Sequence, residues 1–166
     1  MITNITLTTK ERFLLEDAKS HEEICIKKYE NYANLSSDPQ LKAVFRSNGE
    51  KEKEHLQTIN TLLSGQVPSM SGSNQSSQGS PQQQNGQNQQ VNQQSMANQP
   101  FLSSDKDLCT DMLQTEKYVS STYNTTIFEF QDAQVRDVLN HIQKEEQKHG
   151  EAITAYMISK GMYTPK

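Results

Sequence analysis

The sequence predicts an all-α protein: one four-helix bundle made of two repeated antiparallel hairpins joined by a long crossover. Three observations predict it. Apolar residues recur at alternating steps of three and four through four separate blocks of the chain. A helix-start signal stands at the head of each block. One pattern, Glu-x₆-Tyr followed by Glu-x-x-His, occurs twice, as Glu22, Tyr29, Glu52, His55 and as Glu116, Tyr123, Glu146, His149. Each member of the second set follows its counterpart by 94 positions, and this register holds without a gap from Asp17/Asp111 to Leu63/Met157.

The first helix opens at Thr8, which forms a capping box with Glu11, and its periodic run reaches about Ala33. The second opens at Asp38-Pro39, an N-cap followed by a proline where the helix has no use for an N–H, and runs to about Ser64 before Gly65. Gly49 interrupts it at a cost of about 1 kcal/mol relative to Ala. Ser104 with Asp107 opens the third helix, which ends near Glu129, and Asp132 opens the fourth, which reaches Lys160 before Gly161.

The connections set the topology. Only a few residues join the first helix to the second (Asn34 to Ser37) and the third to the fourth (Phe130, Gln131), so each pair is an antiparallel hairpin. Residues 66–100 are nearly all Gln, Asn, Ser, Gly and Pro, with Val67, Met70, Val91, Met96 and Ala97 as the apolar exceptions. Those are too few to offset the entropy of ordering the segment. A chain of this length spans roughly 30–35 Å as a flexible coil, and a helix of about 24 residues is about 36 Å long. The segment can therefore run the length of the bundle, making the first and third helices antiparallel and relating the halves by a pseudo-twofold axis. Residues 1–65 and 101–166 are the expected half-bundles. Each is too small to bury a core alone, so the two are expected to form one domain.

Composition excludes several roles. The 166 residues carry a formal net charge of −4, with Lys and Arg interspersed among Asp and Glu and no basic stripe of the kind nucleic acid requires. No apolar run approaches a membrane span, and the N-terminus has neither a basic nor an apolar leader region, so cytoplasmic synthesis is the expectation. Cys25 and Cys109 are not repeat counterparts and make no disulfide framework; buried thiols, a bridge and a ligand role are the readings open to them.

The two sets of Glu and His fall on the buried stripes, whereas Lys27, Lys28, Lys51, Lys53, Glu145 and Lys148 fall off them. A charge in a core is costly unless it is paired or bound to metal. Residues i and i+3 share a helix face, so Glu52 with His55 and Glu146 with His149 can each serve one ion, with Glu22 and Glu116 completing the set. Four carboxylates and two imidazoles suit a pair of Fe or Mn ions, and zinc would also bind. Tyr29 and Tyr123 are expected to donate to the ligating carboxylates, and each imidazole to keep an N–H for an outer acceptor. The competing reading is a set of buried polar groups hydrogen-bonded to one another. His21 and His141 have no repeat counterpart of their kind and read as surface or boundary residues. No Ser-His-Asp or Cys-His arrangement, Gly-rich phosphate loop or cysteine cluster suggests other chemistry.

The doubled Glu-x₆-Tyr and Glu-x-x-His resembles the signature of the bacterioferritin and rubrerythrin superfamily. The segments LLEDAKSHEEICIKKYENYANLSSDPQL and LQTEKYVSSTYNTTIFEFQDAQVRDVLNHIQKEEQKHGEAITAYM, with the terminal KGMY, are similar to clostridial and bacillar spore coat proteins related to coat protein F. That resemblance covers both hairpins and not the linker. It implies a ferritin-like fold, synthesis in the mother cell, a place in the endospore coat, and other coat proteins or further copies of this chain as partners. Two functions follow from it. One is a structural or protective coat component, in which the linker is either a solvated crossover or a contact with neighbours. The other is a di-iron or di-manganese oxidoreductase acting on O₂ or H₂O₂, of ferroxidase, peroxidase or catalase type. The full set of six ligands favours the second; the lack of rubredoxin-like cysteine pairs and of any mark of a substrate channel speaks against it.

Overall fold

The computed structural model describes residues 3–68 and 104–166. Four helices carry the fold: α1 (Thr9–Leu35), α2 (Pro39–Leu63), α3 (Asp105–Glu129) and α4 (Ala133–Ser159). Each starts at the cap read from the sequence. Thr8 with Glu11 and Ser104 with Asp107 form reciprocal capping boxes, and Asp38 and Asp132 accept from the amides of Gln40 and Gln134. Gly65, at a φ of 82°, turns the chain out of α2. The sequence held no sign of two short strands, β1 (Thr3–Asn4) and β2 (Gln66–Val67), which pair antiparallel and bury Val67. Gln66 and Val67 were expected in the linker. Apart from Gln66, Val67 and Pro68, the 66–100 segment lies outside the described residues.

Contacts between the hairpins set the helix directions. The Asp105 carboxylate, at the start of α3, accepts from the backbone N–H groups of Ser37 (2.8 Å) and Asp38 (3.0 Å) in the α1–α2 turn. Glu11, at the start of α1, accepts from the N–H of Gln131 (3.1 Å) in the α3–α4 turn. Each of these two contacts is the 94-residue counterpart of the other. They make α1 and α3 antiparallel. Likewise the Asp38 carboxylate at the start of α2 meets Tyr156 (3.0 Å) and Lys160 (2.7 Å) at the end of α4. Arg12 donates to the Leu63 carbonyl at 3.4 Å, which puts the end of α2 beside the start of α1. So α2 ends and α3 begins at opposite ends of the bundle, about 37 Å apart for a helix of 25 residues.

The core has three layers along the bundle axis. One apolar plug contains Leu15, Ala18, Ile59, Leu62, Val119, Val135, Leu139 and Ile142. The other contains Tyr29, Leu41, Phe45, Met112, Ile153 and Met157. Full burial of each aliphatic side chain stabilises by about 1.5–3 kcal/mol. Between the plugs lies a polar layer drawn from all four helices. Cys25 and Cys109 are buried free thiols in opposite plugs. Gly49, a weak point by helix propensity, has a packing reason: a Cβ there would stand 3.0 Å from the Cβ of Tyr29, so a side chain would fit only if α1 and α2 moved apart. None of the helices among the described residues is long and apolar enough to cross a membrane.

Candidate metal centre

The polar layer consists of Glu22, Glu52, His55, Glu116, Glu146 and His149, each between 0% and 4% exposed. One helical turn brings His55 Nδ1 within 3.1 Å of Glu52 and His149 Nδ1 within 3.4 Å of Glu146. The helices also cross-connect: His55 Nδ1 is 3.1 Å from Glu146, and His149 Nδ1 is 3.2 Å from Glu52. Glu22 lies 3.7 Å from His55, and Glu116 lies 3.7 Å from His149. The two imidazoles stack at 5.7 Å. Two overlapping groups result, Glu22-Glu52-His55-Glu146 and Glu52-Glu116-Glu146-His149, each with its donor atoms within 4.8 Å of one another. Glu52 and Glu146 belong to both.

Tyr29 and Tyr123 reach across the bundle. Tyr29, on α1, donates to Glu116 on α3, and Tyr123, on α3, donates to Glu22 on α1. Tyr29 also accepts from Asn48 Nδ2 at 3.1 Å. Ile142 stands at the counterpart position, so Tyr123 has no matching amide there. Burial, reinforced by the carboxylates they face, pushes both phenols well above the ordinary tyrosine range, and they stay protonated donors.

The same burial sorts the six ionisable groups. It pushes Glu22 up to about 8 and Glu116 up to about 9, with Glu146 and Glu52 reinforcing the shift against the pull of the histidines. It acts on Glu52 and Glu146 too, but the two imidazoles close beside them outweigh it and hold them below the ordinary carboxylate range. Burial also opposes charge on the histidines. The carboxylates around them prevail, raising His149 to about 11 and His55 well above its ordinary value. These directions favour a metal-free layer in which Glu22 and Glu116 keep their protons, Glu52 and Glu146 are ionised and both imidazoles are charged, so that the charges balance.

This neutral arrangement does not satisfy the layer. Glu22 Oε2, Glu52 Oε1, Glu116 Oε2, both oxygens of Glu146 and both ring nitrogens of His149 are buried without a hydrogen-bond partner among the described residues. Leaving a buried polar atom unpaired costs about 1–3 kcal/mol. Six converging side chains with seven orphaned donor or acceptor atoms are a donor set that could hold metal cations.

Glu145 adjoins the polar layer at a position that the sequence did not mark. Its carboxylate takes the Nε2–H of His55 at 3.1 Å, which turns Nδ1 inward. That bond, opposed by partial burial and aided by His141 and Lys51, holds Glu145 down at about 2. Its partner is on another helix, so periodicity within α4 gives no sign of it. Lys51 occupies the counterpart position and pairs with Glu54 instead, while His149 Nε2 has no partner. His21 and His141 do not enter the layer. His21 is half-buried against the edge of Tyr118, and His141 is an exposed residue 3.7 Å from Glu145.

Residues 104–166 match the family model of the Coat F domain. The matched segment takes in α3 and α4 with Glu116, Tyr123, Glu146 and His149. The whole chain is similar in structure to a two-domain protein from Anabaena variabilis containing DJ-1/ThiJ/PfpI-like and ferritin-like domains, with a TM-score of 0.67 at 15% identity. The likeness covers 97% of this chain and 40% of that one, and it shows the fold as a ferritin-like helical bundle. No curated protein matches the chain.

Proposed function

We propose that this chain is a spore coat-associated ferritin-like protein that carries a di-metal carboxylate centre in its polar layer, with a structural and protective role in the endospore coat. The observation that carries the metal reading is the set of orphaned buried atoms on Glu22, Glu52, Glu116, Glu146 and His149. Glu22 and His55 would hold one ion and Glu116 and His149 the other, with Glu52 and Glu146 shared between them. Mixed carboxylate and imidazole donors suit Fe or Mn. Two dications in place of four protons, those on Glu22, Glu116, His55 and His149, leave the layer neutral, which a buried site requires.

When bound, such a metal pair supplies Lewis acidity and a redox couple for small oxidants. The protein's own residues hold the geometry. Tyr29 and Tyr123 each fix one oxygen of the carboxylate across the bundle, leaving the other oxygen directed inward. Glu145 fixes the tautomer of His55. The apolar plugs on both sides exclude water along the bundle axis.

The match of residues 104–166 to the Coat F domain supports the spore coat as location, after synthesis in the mother cell, with other coat proteins or further copies of this chain as partners. We read residues 1–65 and 101–166 as two copies of one hairpin that complete a single domain, with residues 66–100 as the crossover. The placement of the end of α2 and the start of α3 at opposite ends of the bundle supports this. A second reading, an oxidoreductase of O₂ or H₂O₂ with the same centre, is favoured by a surface cleft whose lining includes the buried Glu116 and Glu146.

Metal content of untagged protein from Fe- or Mn-supplemented cells tests the centre. About two ions per chain are expected, falling to none in the Glu52→Ala/Glu146→Ala double variant. Metal-free protein in both samples after reconstitution would remove the centre and leave a structural coat bundle.

A further inference from the structure

The two hairpins carry the same surface groove, but only one of them reaches the polar layer. In the first hairpin a groove of about 400 Å³ runs along α2 past Lys53, Leu56, Gln57, Asn60, Thr61 and Ser64 and touches none of the six cluster residues. The 94-residue counterparts of all six line a larger cleft, of about 720 Å³, between α3 and α4. That cleft continues inward to Glu116 and Glu146. The sequence register gives the reason. Half-buried Leu56 and Ile26 in the first hairpin become Gly150 and Ser120 in the second, and the lost side-chain volume deepens the cleft.

Glu116 and Glu146, 2% and 1% exposed, close the floor of this cleft. Glu116 Oε2 and both oxygens of Glu146 are buried and unpartnered. Above them Leu113, Ala155 and Ile158 give an apolar wall, and Ser120 and Asn124 add neutral polar groups. At the rim Lys117 and Glu151 offset each other. The volume lies within the roughly 300–1,000 Å³ typical of sites for small organic ligands, far above the roughly 30 Å³ share of one water. Dioxygen or peroxide needs no such space.

We propose that the α3–α4 cleft binds a small uncharged organic molecule, apolar along Leu113 and Ile158, whose hydroxyl or carbonyl end pairs with Ser120 and Asn124 above the closed floor of Glu116 and Glu146. Any effect of such a ligand on the polar layer rests on the metal reading given above, whereas the binding itself does not. The size of the cleft selects an aromatic or branched aliphatic body, and the balanced charge at the rim selects against ions.

The probe is 4-fluorophenol, titrated into the full chain. Binding is read by its ¹⁹F signal and by the backbone amide shifts of Ser120 and Gly150. Gly150→Leu restores the residue of the first hairpin. Its Cβ would meet only Leu113 Cδ1, at 3.4 Å, and Leu is a better helix former than Gly, so this variant keeps its fold. Saturable binding centred on Ser120 and Gly150, weakened at least about tenfold by Gly150→Leu and unchanged by Leu56→Ala, supports the proposal; tenfold corresponds to about 1.4 kcal/mol. No saturable binding, equal binding by Gly150→Leu, or shifts confined to another face overturns it. Metal content of the same samples separates the two claims. Cleft binding in protein that takes up no metal upholds the ligand site and removes the centre, while metal uptake without cleft binding removes this inference alone.

Discussion

The phenol of Tyr29, on the first helix, donates to the carboxylate of Glu116, on the third, and thereby ties one hairpin to the other at the polar layer. Tyr123 and Glu22 repeat the contact in reverse. The two bonds are not equivalent, because Tyr29 alone also accepts from Asn48. Tyr29→Phe orphans a carboxylate oxygen and an amide, whereas Tyr123→Phe orphans only the oxygen. Each lost partner costs about 1–3 kcal/mol, so Tyr29→Phe is expected to be the more destabilising of the two in urea unfolding. Equal losses would show that the Asn48 contact contributes nothing.

Glu145 backs His55, and no described residue backs His149. Glu145→Ala is expected to weaken metal binding about 10–100-fold, and to do so for one ion of the two. Lys51→Ala, at the counterpart position, is expected to leave both ions in place. Chelator competition monitored ion by ion checks this. A uniform loss at both sites in Glu145→Ala would contradict the pairing.

The protonation of the metal-free layer has a definite sign. Glu22, Glu116 and His149 have folded values of about 8, about 9 and about 11, all above their unfolded values, and His55 is raised as well. Each binds its proton more tightly folded than unfolded, so each stabilises below its unfolded value and that contribution is lost as pH rises through its folded value. Glu52 and Glu146 are shifted downward and are ionised in both states above about pH 6. The Tm of metal-free protein is therefore expected to fall between about pH 6 and about pH 9. Metal loading near pH 7 is expected to release close to four protons per two ions, measured by calorimetry in buffers of different ionisation enthalpy. A flat Tm across that range, or metal binding without proton release, would contradict this account of the layer.

Gly49 and Gly150 respond in opposite directions to the same change. Ala at Gly49 gains about 1 kcal/mol in helix propensity but drives its Cβ to 3.0 Å from Tyr29 Cβ, an atom that moves only with the α1 backbone. Gly49→Ala is expected to destabilise, by about 1–3 kcal/mol in the range of overpacked cores. Gly150→Ala meets only Leu113 at 3.4 Å and is expected to stabilise by up to about 1 kcal/mol. Thermal unfolding of the two variants settles the signs.

The sequence was most legible where local chemistry decides. Thr8, Asp38, Ser104 and Asp132 are helix caps whose capping bonds reach no further than three residues along the chain, and the helices end within two residues of the expected positions. The six polar residues could be placed together because charge on a buried stripe is rare and needs an explanation. Glu145 was missed because its partner His55 lies on a different helix and its own position falls between faces. The cleft was missed because it is made of what is lacking: Ser120 and Gly150 are small, polar or featureless residues, and their significance shows only against Ile26 and Leu56 once both hairpins are seen in three dimensions. The β1–β2 pair was missed because two-residue strands have no periodicity to read.

Crystals of protein loaded with Mn or Fe, measured at the absorption edge of the metal, test the central claim most directly. The account predicts two anomalous peaks in the polar layer, one within bonding distance of Glu22 and His55, the other of Glu116 and His149, both in reach of Glu52 and Glu146. A layer without anomalous density, its six side chains joined to each other through hydrogen bonds or water, would contradict it.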